Sequence, residues 1–322
     1  MSSPGLPSST QTLTYFERDF DPSTVAAAGA ARVAAQLAGA AGSAPTAAPA
    51  RAWSAFHFRN RGHFFHPRRY LCAAFPALAC PDTSALASLL ARAGAAPLPA
   101  AAATARPLVI LETGAGDGSN VAALRAANPL ARLLVTDFTA ASLKFIADAL
   151  AHDAAPGAPE LYLLDIAQDG GGAPAAATER AGADWAALPA ALSGGVDAAL
   201  CTFTLSAVPP PLHARALRNI CRTLRPGGAL CFRDYAEFDA AQLRARPENV
   251  VAGGGGLHVR GDGTLAFYFS EAGVAALLAG AGLQVLELRT CTVRQRNRAK
   301  GTEMLRLYVH ALAVKIAAPD EQ

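Results

Sequence analysis

What this chain lacks narrows its identity before any motif does. No apolar run reaches the roughly 18 residues expected of a membrane-spanning helix. The opening MSSPGLPSSTQTLTYFERDF has no basic stretch followed by an apolar block, which argues against a secretory leader. No arginine precedes Arg18, which argues against a typical organellar transit peptide. A cytoplasmic location is therefore expected, with the nucleus and the organelles left open. The six cysteines (Cys72, Cys80, Cys201, Cys221, Cys231 and Cys291) form no C-x-x-C pair, so buried, reduced thiols are the simplest reading. His57, His63 and His66 have no carboxylate or cysteine at ligand spacing, and no metal is expected. A strong net charge is missing too, since the formal value is only +3. Its distribution says more: basic residues gather in HFRNRGHFFHPRR (57–69) and RQRNRAK (294–300). These two patches form one surface on folding, or two solvated loops.

The 322 residues suffice for one sizeable core with a small appended element. The hydrophobic fraction of 52% is inflated by alanine and overstates that core. Residues 1–50 hold the acidic-aromatic YFERDFDPS and an alanine-rich stretch, and are expected to be low-complexity and partly disordered. SAPTAAPA (43–50) reads as a linker. Residues 51–105 begin with a dense aromatic-basic block and end in a second Ala/Pro tract, AGAAPLPAAAATARP. From 106 to 316 the pattern alternates, and 317–322 is a tail. Strand-like runs are LVIL (108–111), ARLLVTD (131–137), ELYLLD (160–165), VDAALCTF (196–203), GALCFRD (228–234), LQVLELR (283–289) and MLRLYVHALAVK (304–315). Helical stretches fall at about 119–127, 140–151, 211–224 and 271–281. This order predicts an α/β fold: a mostly parallel, doubly wound, Rossmann-like sheet of seven strands with helices on both faces. Only a loop separates the last two runs, so they are expected to form an antiparallel hairpin. QDGGGAPAAATER (168–180) and AGGGG (252–256) read as flexible insertions, and no internal repeat is visible.

The stretch LETGAGDGSN (111–120) leaves the first strand at the edge of the sheet where ligands bind in such folds. Its pattern is E-x-G-x-G-x-G: Glu112, Gly114, Gly116 and Gly118. Glycines there let the backbone pass close to a ligand, and the next helix offers free N–H groups. An acid two residues before the first glycine suits a positively charged ligand end better than a pyrophosphate. By itself the loop is a ligand cradle or a plain tight turn. Asp137 ends the second strand about twenty residues on, where a carboxylate accepts from both ribose hydroxyls. Asp165 ends the third, within reach of an adenine amino group. Each acid alone reads equally well as a helix cap; three at successive strand ends make a ligand site the better reading.

With LRPGGALCF (224–232), a helix end, tight turn and new strand, the whole resembles class I S-adenosylmethionine-dependent methyltransferases. The likeness narrows outside the sheet. TFTLSAV (202–208), LCFRDYAEFDAAQLR (230–244), HVRGDGTLAFYFS (258–270), NRAKGTEMLRLYVH (297–310) and AWSAFHFRNRGHFFHPRRYL (52–71) are similar to the tRNA N3-methylcytidine methyltransferase family, which modifies position 32 of the anticodon loop. The likeness covers most of residues 51–315, in order. It implies that Gly114 meets the methionine end of S-adenosylmethionine, that Asp137 holds the ribose, and that Asp165 and Ile166 flank the adenine. It also makes Thr202 a cofactor-lining residue, and Trp53 and His57 the aromatic cover. Three departures stand out: His57 in place of a tyrosine, GAGDGSN in place of a loop with a cysteine between its first two glycines, and the AGGGG enlargement before His258.

Cytosine N3 carries its own lone pair and the sulfonium methyl is already electrophilic, so no proton need be removed from N3 and positioning carries the chemistry. N3 lies on the pairing edge, so the base must be unpaired or flipped. The ring becomes cationic, and a nearby carboxylate helps stabilise it; Asp234 of FRDY is the candidate, or else a structural partner of Arg233. Arg59, Asn60, Arg68, Arg69, Arg233, Arg260, Arg294, Arg296, Arg298 and Lys300 are the candidate tRNA contacts, giving salt-sensitive binding. Phe64 is the candidate for stacking on an unpaired base, whereas Phe65 is better read as an anchor to the core. The competing readings are a methyltransferase acting on a protein or small molecule, and a non-catalytic tRNA-binding subunit of the same fold. The resemblance implies that a partner such as seryl-tRNA synthetase, or a prior modification of the anticodon loop, decides which tRNA is used.

Overall fold

A computed structural model of the chain describes residues 17–40, 49–60, 68, 70–96, 104–151, 157–168, 192–297 and 301–316. The N-terminal half begins with helices α1 (Ser23–Ala38), α2 (Pro49–Asn60), α3 (Leu71–Ala74) and α4 (Thr83–Arg92). The alternating part then runs β1 (Val109–Thr113), α5 (Ser119–Ala127), β2 (Arg132–Asp137), α6 (Ala140–Leu150), β3 (Glu160–Leu163) and β4 (Val196–Thr202). It continues with α7 (His213–Thr223), β5 (Leu224–Tyr235), α8 (Ala240–Arg244), the short strands β6 (His258–Val259) and β7 (Leu265–Ala266), α9 (Glu271–Gly280), β8 (Leu283–Asn297) and β9 (Thr302–Lys315). No helix among the described residues is long and apolar enough to cross a membrane.

Seven strands form one sheet in the order β3-β2-β1-β4-β5-β9-β8. The first five are parallel, and β9 runs antiparallel to both β5 and β8, as the short final connection requires. β6 and β7 form a separate two-stranded sheet. All seven β4 residues are buried, as expected of a central strand covered on both faces. One face packs Leu111, Ala199, Leu230 and Phe232 against Leu217 and Ile220 of α7 and Val274 and Leu278 of α9. The other packs Ile110, Leu200 and Cys231 against Leu71, Leu86, Leu90 and the Leu124 side of α5. Chain order reverses direction between β1 and β4, which opens a crevice at their carboxyl ends.

Two parts depart from the sequence reading. β5 starts at Leu224, before the expected Gly228, because Leu224 already pairs with Val196; the register then shifts, and Ala229 pairs with Ala198. Gly227, at φ 75°, lets the intervening turn bulge out. Residues 17–40 are not an unstructured lead. Arg18 bridges in parallel to Thr292 of β8, with Asp19 N–H donating to Thr292 O at 3.0 Å and Thr292 N–H to Glu17 O at 2.8 Å. α1 then packs on α8. Gln36 Nε2 donates to the carbonyls of Gln242 (3.0 Å) and Ala245 (2.7 Å), and Arg32 Nε to that of Leu243 (3.3 Å). The last carbonyls of a helix have no partner of their own, so α1 caps α8 from outside. The proposed linker at 43–50 lies outside the described residues up to Ser43–Ala48, and Pro49 and Ala50 begin α2. Of QDGGGAPAAATER, all but Gln168 lies outside them, and AGGGG is a turn closed by the Val250–His258 bridge.

At the opposite edge of the sheet, the fully buried Asp197 takes two bonds from Arg106 (2.7 and 3.0 Å), one from Arg225 and one from Val109 N–H (2.8 Å). It ties the starts of β1, β4 and β5 together. Asp197→Ala leaves the largely buried Arg225 without that partner and is expected to lower unfolding free energy by about 3–5 kcal/mol, read as a lower urea midpoint.

Candidate active site

The crevice at the switch point encloses a cavity of about 290 Å³. Its floor is the glycine loop. Gly114 and Gly116 line it at φ 62° and 61°. A Cβ on Gly114 would also collide with the Thr204 side chain, so glycine is required there on two counts. Gly118 does not line the cavity; at φ 76° it caps α5 against Ile146, and Ser119 faces the cavity instead.

Asp137 sits at the end of β2, 3% exposed, and is tied into this loop. Its Oδ2 accepts from Gly116 N–H at 3.0 Å. Its Oδ1 accepts from Thr139 N–H (2.9 Å) and Thr139 Oγ1 (2.8 Å). The capping alternative is therefore met by Thr139, which caps α6 at Ser142 N–H, leaving Asp137 to face the cavity. Asp165 and Ile166 line the same wall beyond β3, with Asp165 Oδ1 accepting from Ala167 N–H at 2.8 Å. Burial, helped by the Asp137 charge, raises the Asp165 carboxyl above its ordinary range. Thr202 lines the β4 side.

α2 supplies the cover. Trp53 and His57 line the cavity four residues apart, on one face of the helix. Their rings lie 5.9 Å apart, and Phe56 packs edge-on to both. Burial holds His57 below its usual range, against the pull of Asp137 and Asp117, so the ring is neutral near pH 7. Trp53 Nε1 is buried with no acceptor among the described residues. A buried indole N–H normally finds a partner, and this one borders the cavity. That orphan donor, the glycine cradle and the Asp137 carboxylate together fit a nucleoside bearing an amino-acid tail.

Several candidates sit elsewhere. Glu112 lies behind the loop, 2% exposed, and does not line the cavity. Burial pushes its carboxyl up to about 8, against an Asn120 hydrogen bond and the Arg68 charge. Asp234 is fully buried and off the cavity. It accepts from the backbone N–H groups of Ser206 (2.9 Å) and Tyr235 (2.8 Å), so it shapes the 203–208 turn and is not placed to face a cationic ring. Burial pushes it up to about 6. Arg233 is 1% exposed, held over the rings of Tyr70 (5.5 Å) and Tyr308 (4.9 Å), and cannot be a surface phosphate contact. Arg260 lies over Tyr235 at 5.4 Å. Asn60 bonds back to Phe56 O within α2, whereas Arg59 is exposed. Arg294 and Arg296 share Glu303, each at 2.9 Å. Phe64, Phe65, Arg69, Arg298 and Lys300 lie outside the described residues, as do His63 and His66. Among the described residues no group of three or more His, Cys, Asp or Glu side chains is placed to hold a metal.

Arg68, expected on a phosphate, lines the cavity: its guanidinium donates to Asn120 Oδ1 at 3.0 Å and lies 4.7 Å from the Phe203 ring centre. Sequence reasoning missed Phe203 itself. It takes φ 55°, rare for a bulky residue, and packs against Tyr235 (5.0 Å) and Tyr308 (5.3 Å). Its place in TFTLSAV, next to Thr202, was the available signal.

A family model described as a methyltransferase domain matches residues 83–288. The chain is 29% identical over 259 residues to the tRNA N(3)-methylcytidine methyltransferase Mettl2 of Drosophila melanogaster, covering 80% of this chain and 68% of that protein. It is 27% identical over 283 residues to the tRNA N(3)-cytidine methyltransferase METTL2 of Danio rerio (83% and 74%), and 25% identical over 272 residues to the tRNA N(3)-methylcytidine methyltransferase trm141 of Schizosaccharomyces pombe (83% and 92%). Among solved structures, a SAM-dependent methyltransferase from Anabaena variabilis superposes with a TM-score of 0.54 at 12% identity, covering 85% of this chain and 98% of that one.

The raised Glu112 carboxyl has a signed consequence. Between its ordinary value near 4.5 and about 8, the folded state holds a proton that the unfolded state has released. This contribution to stability is complete below about 4.5 and is lost as pH rises through about 8. Glu112→Gln cannot titrate, so its urea midpoint relative to the wild-type protein is expected to rise between pH 5.5 and pH 8.5; a constant difference would contradict the assignment.

Proposed function

The chain belongs to the methyltransferase domain family, and from that footing we propose that it transfers a methyl group from S-adenosylmethionine to N3 of a cytosine in the tRNA anticodon loop, at position 32. The observation that carries the reading is Asp137: a buried carboxylate at the end of β2, bonded to the glycine loop and facing the cavity at the switch point. The activity of the relatives supplies the acceptor base.

S-adenosylmethionine, when bound, supplies an electrophilic sulfonium methyl. Asp137 would accept from its ribose hydroxyls, Asp165 and Ile166 would hold the adenine, and Gly114 and Gly116 would admit the methionine end. Trp53 N–H offers a donor from the cover, and the neutral His57 packs there without adding a charge beside the sulfonium. Among the described residues only Asp137 and Asp165 contribute carboxylates to the lining, and both are committed to the cofactor. No spare carboxylate base is present among the described lining residues, which suits an acceptor whose lone pair is already free. The side chains do their work by alignment and by excluding water. Arg68, Thr202, Phe203 and Thr204 border the cavity together at the β4 side, where a flipped base can be received beside the Arg68–Phe203 pair.

Purified protein incubated with labelled S-adenosylmethionine and total tRNA is expected to yield 3-methylcytidine by nucleoside mass spectrometry. Seryl-tRNA synthetase is the proposed partner for tRNA selection, so the assay is run with and without it. Asp137→Ala removes charge-assisted hydrogen bonds worth about 1.5–3 kcal/mol each and is expected to lower kcat/KM by at least about 100-fold. Cofactor binding without 3-methylcytidine in either assay would overturn the acceptor assignment.

A further inference from the structure

Asn120 does not line the cavity, yet its single amide joins two side chains that do. It is the second residue of α5 and is 3% exposed. Its Oδ1 accepts from Arg68 of the N-terminal segment at 3.0 Å. Its Nδ2 donates to Thr202 Oγ1 at the end of β4, also at 3.0 Å. Both partners, Arg68 and Thr202, line the cavity.

The chemistry of the position is narrow. The Arg68 guanidinium has donors only, so the group that meets it has to accept. The other end of the same side chain reaches Thr202 Oγ1 and donates to it. Asparagine does both without adding charge. A leucine of similar volume would leave the buried groups of Arg68 and Thr202 each short of a partner, which is the costly way to lose a hydrogen bond.

We propose that Asn120 is a positioning residue that seats Arg68 against Phe203 in the wall of the cofactor cavity. This rests on reading the cavity as a methyl-transfer site. Asn120 itself touches neither cofactor nor acceptor; it sets where the guanidinium stands. An unseated Arg68 opens the stretch of wall that it lines, and with it the way out for a bound cofactor.

The test is a double-mutant cycle in the full-length protein, built from Arg68→Ala, Asn120→Ala and the pair. The readout is the release rate of S-adenosylhomocysteine by stopped-flow fluorescence. Each single substitution is expected to speed release by about tenfold, the loss of one charge-assisted bond. The pair is expected to be no faster than Arg68→Ala alone, because Asn120 acts through it. Rates that multiply in the pair, or an Asn120→Ala release rate within threefold of wild type, would overturn the proposal. Should Asn120→Ala fail to fold, Asn120→Asp keeps the acceptor for Arg68, and its second oxygen can accept from the Thr202 hydroxyl. Release within threefold of wild type is then expected, and a larger change overturns the proposal. The functional reading fails separately. A wild-type protein that binds S-adenosylhomocysteine but leaves tRNA unmethylated removes the acceptor assignment while the cycle still decides on Asn120; one that binds no cofactor removes both.

Discussion

The site depends on the hydrogen bond from Gly116 N–H to Asp137. A glycine-rich turn after a parallel strand has many conformations available to it, and glycine loses more freedom on folding than any other residue. The carboxylate at the end of the neighbouring strand fixes this one by taking the N–H at its centre. Ser142 reinforces the arrangement by donating to Gly116 O from α6. The loop is thus anchored on both its polar backbone groups before any ligand arrives. The same carboxylate remains on the cavity wall, so the group that shapes the cradle also presents charge to whatever lies in it. Binding then requires little reorganisation of the floor, and the adjustable part of the site is its cover.

Most of the sheet was legible because parallel strands buried on both faces have to be nearly continuous apolar runs, and the runs ending in Asp137 and Thr202 obey that rule. The glycine loop was legible because its spacing admits few alternatives. Polar residues at strand ends were harder. A strand's side chains alternate between faces, and FRDY by itself does not say which of Arg233 and Asp234 meets solvent. In fact neither does. Arg233 lies beneath Tyr70 and Tyr308, aromatic rings brought from distant parts of the chain, and Asp234 is spent on backbone N–H groups. The positive φ of Phe203 is set by tertiary packing and has no local signature. α1 was hidden by alanine: its sequence reads as low-complexity, and only the Gln36 and Arg32 bonds to α8 give it a place.

The arginines of this chain also do different work from what their clustering implied. A basic patch on paper suggests a surface for phosphates. Here Arg68 turns inward onto Asn120, and Arg294 and Arg296 share Glu303 at 2.9 Å each. Arg68, Arg233, Arg260 and Arg306 all lie over rings of a shared aromatic group formed by Tyr70, Phe203, Tyr235 and Tyr308. Guanidinium groups stack on such rings and keep their donors in plane. The geometry of these guanidinium groups is therefore fixed by packing, and Arg233 is wholly inside it.

The bridge between Glu17–Phe20 and Thr292 has a consequence for how the polypeptide is made. The two sides are 272 residues apart. At ordinary synthesis speeds the early segment is on the order of tens of seconds old before its partner strand exists. Through that interval it has no edge to pair with, and α1 lacks the carbonyls of α8 that it later caps. A segment with a waiting period of that length benefits from being hard to misplace, and one rich in alanine, with few large apolar side chains, offers little for a wrong neighbour to hold.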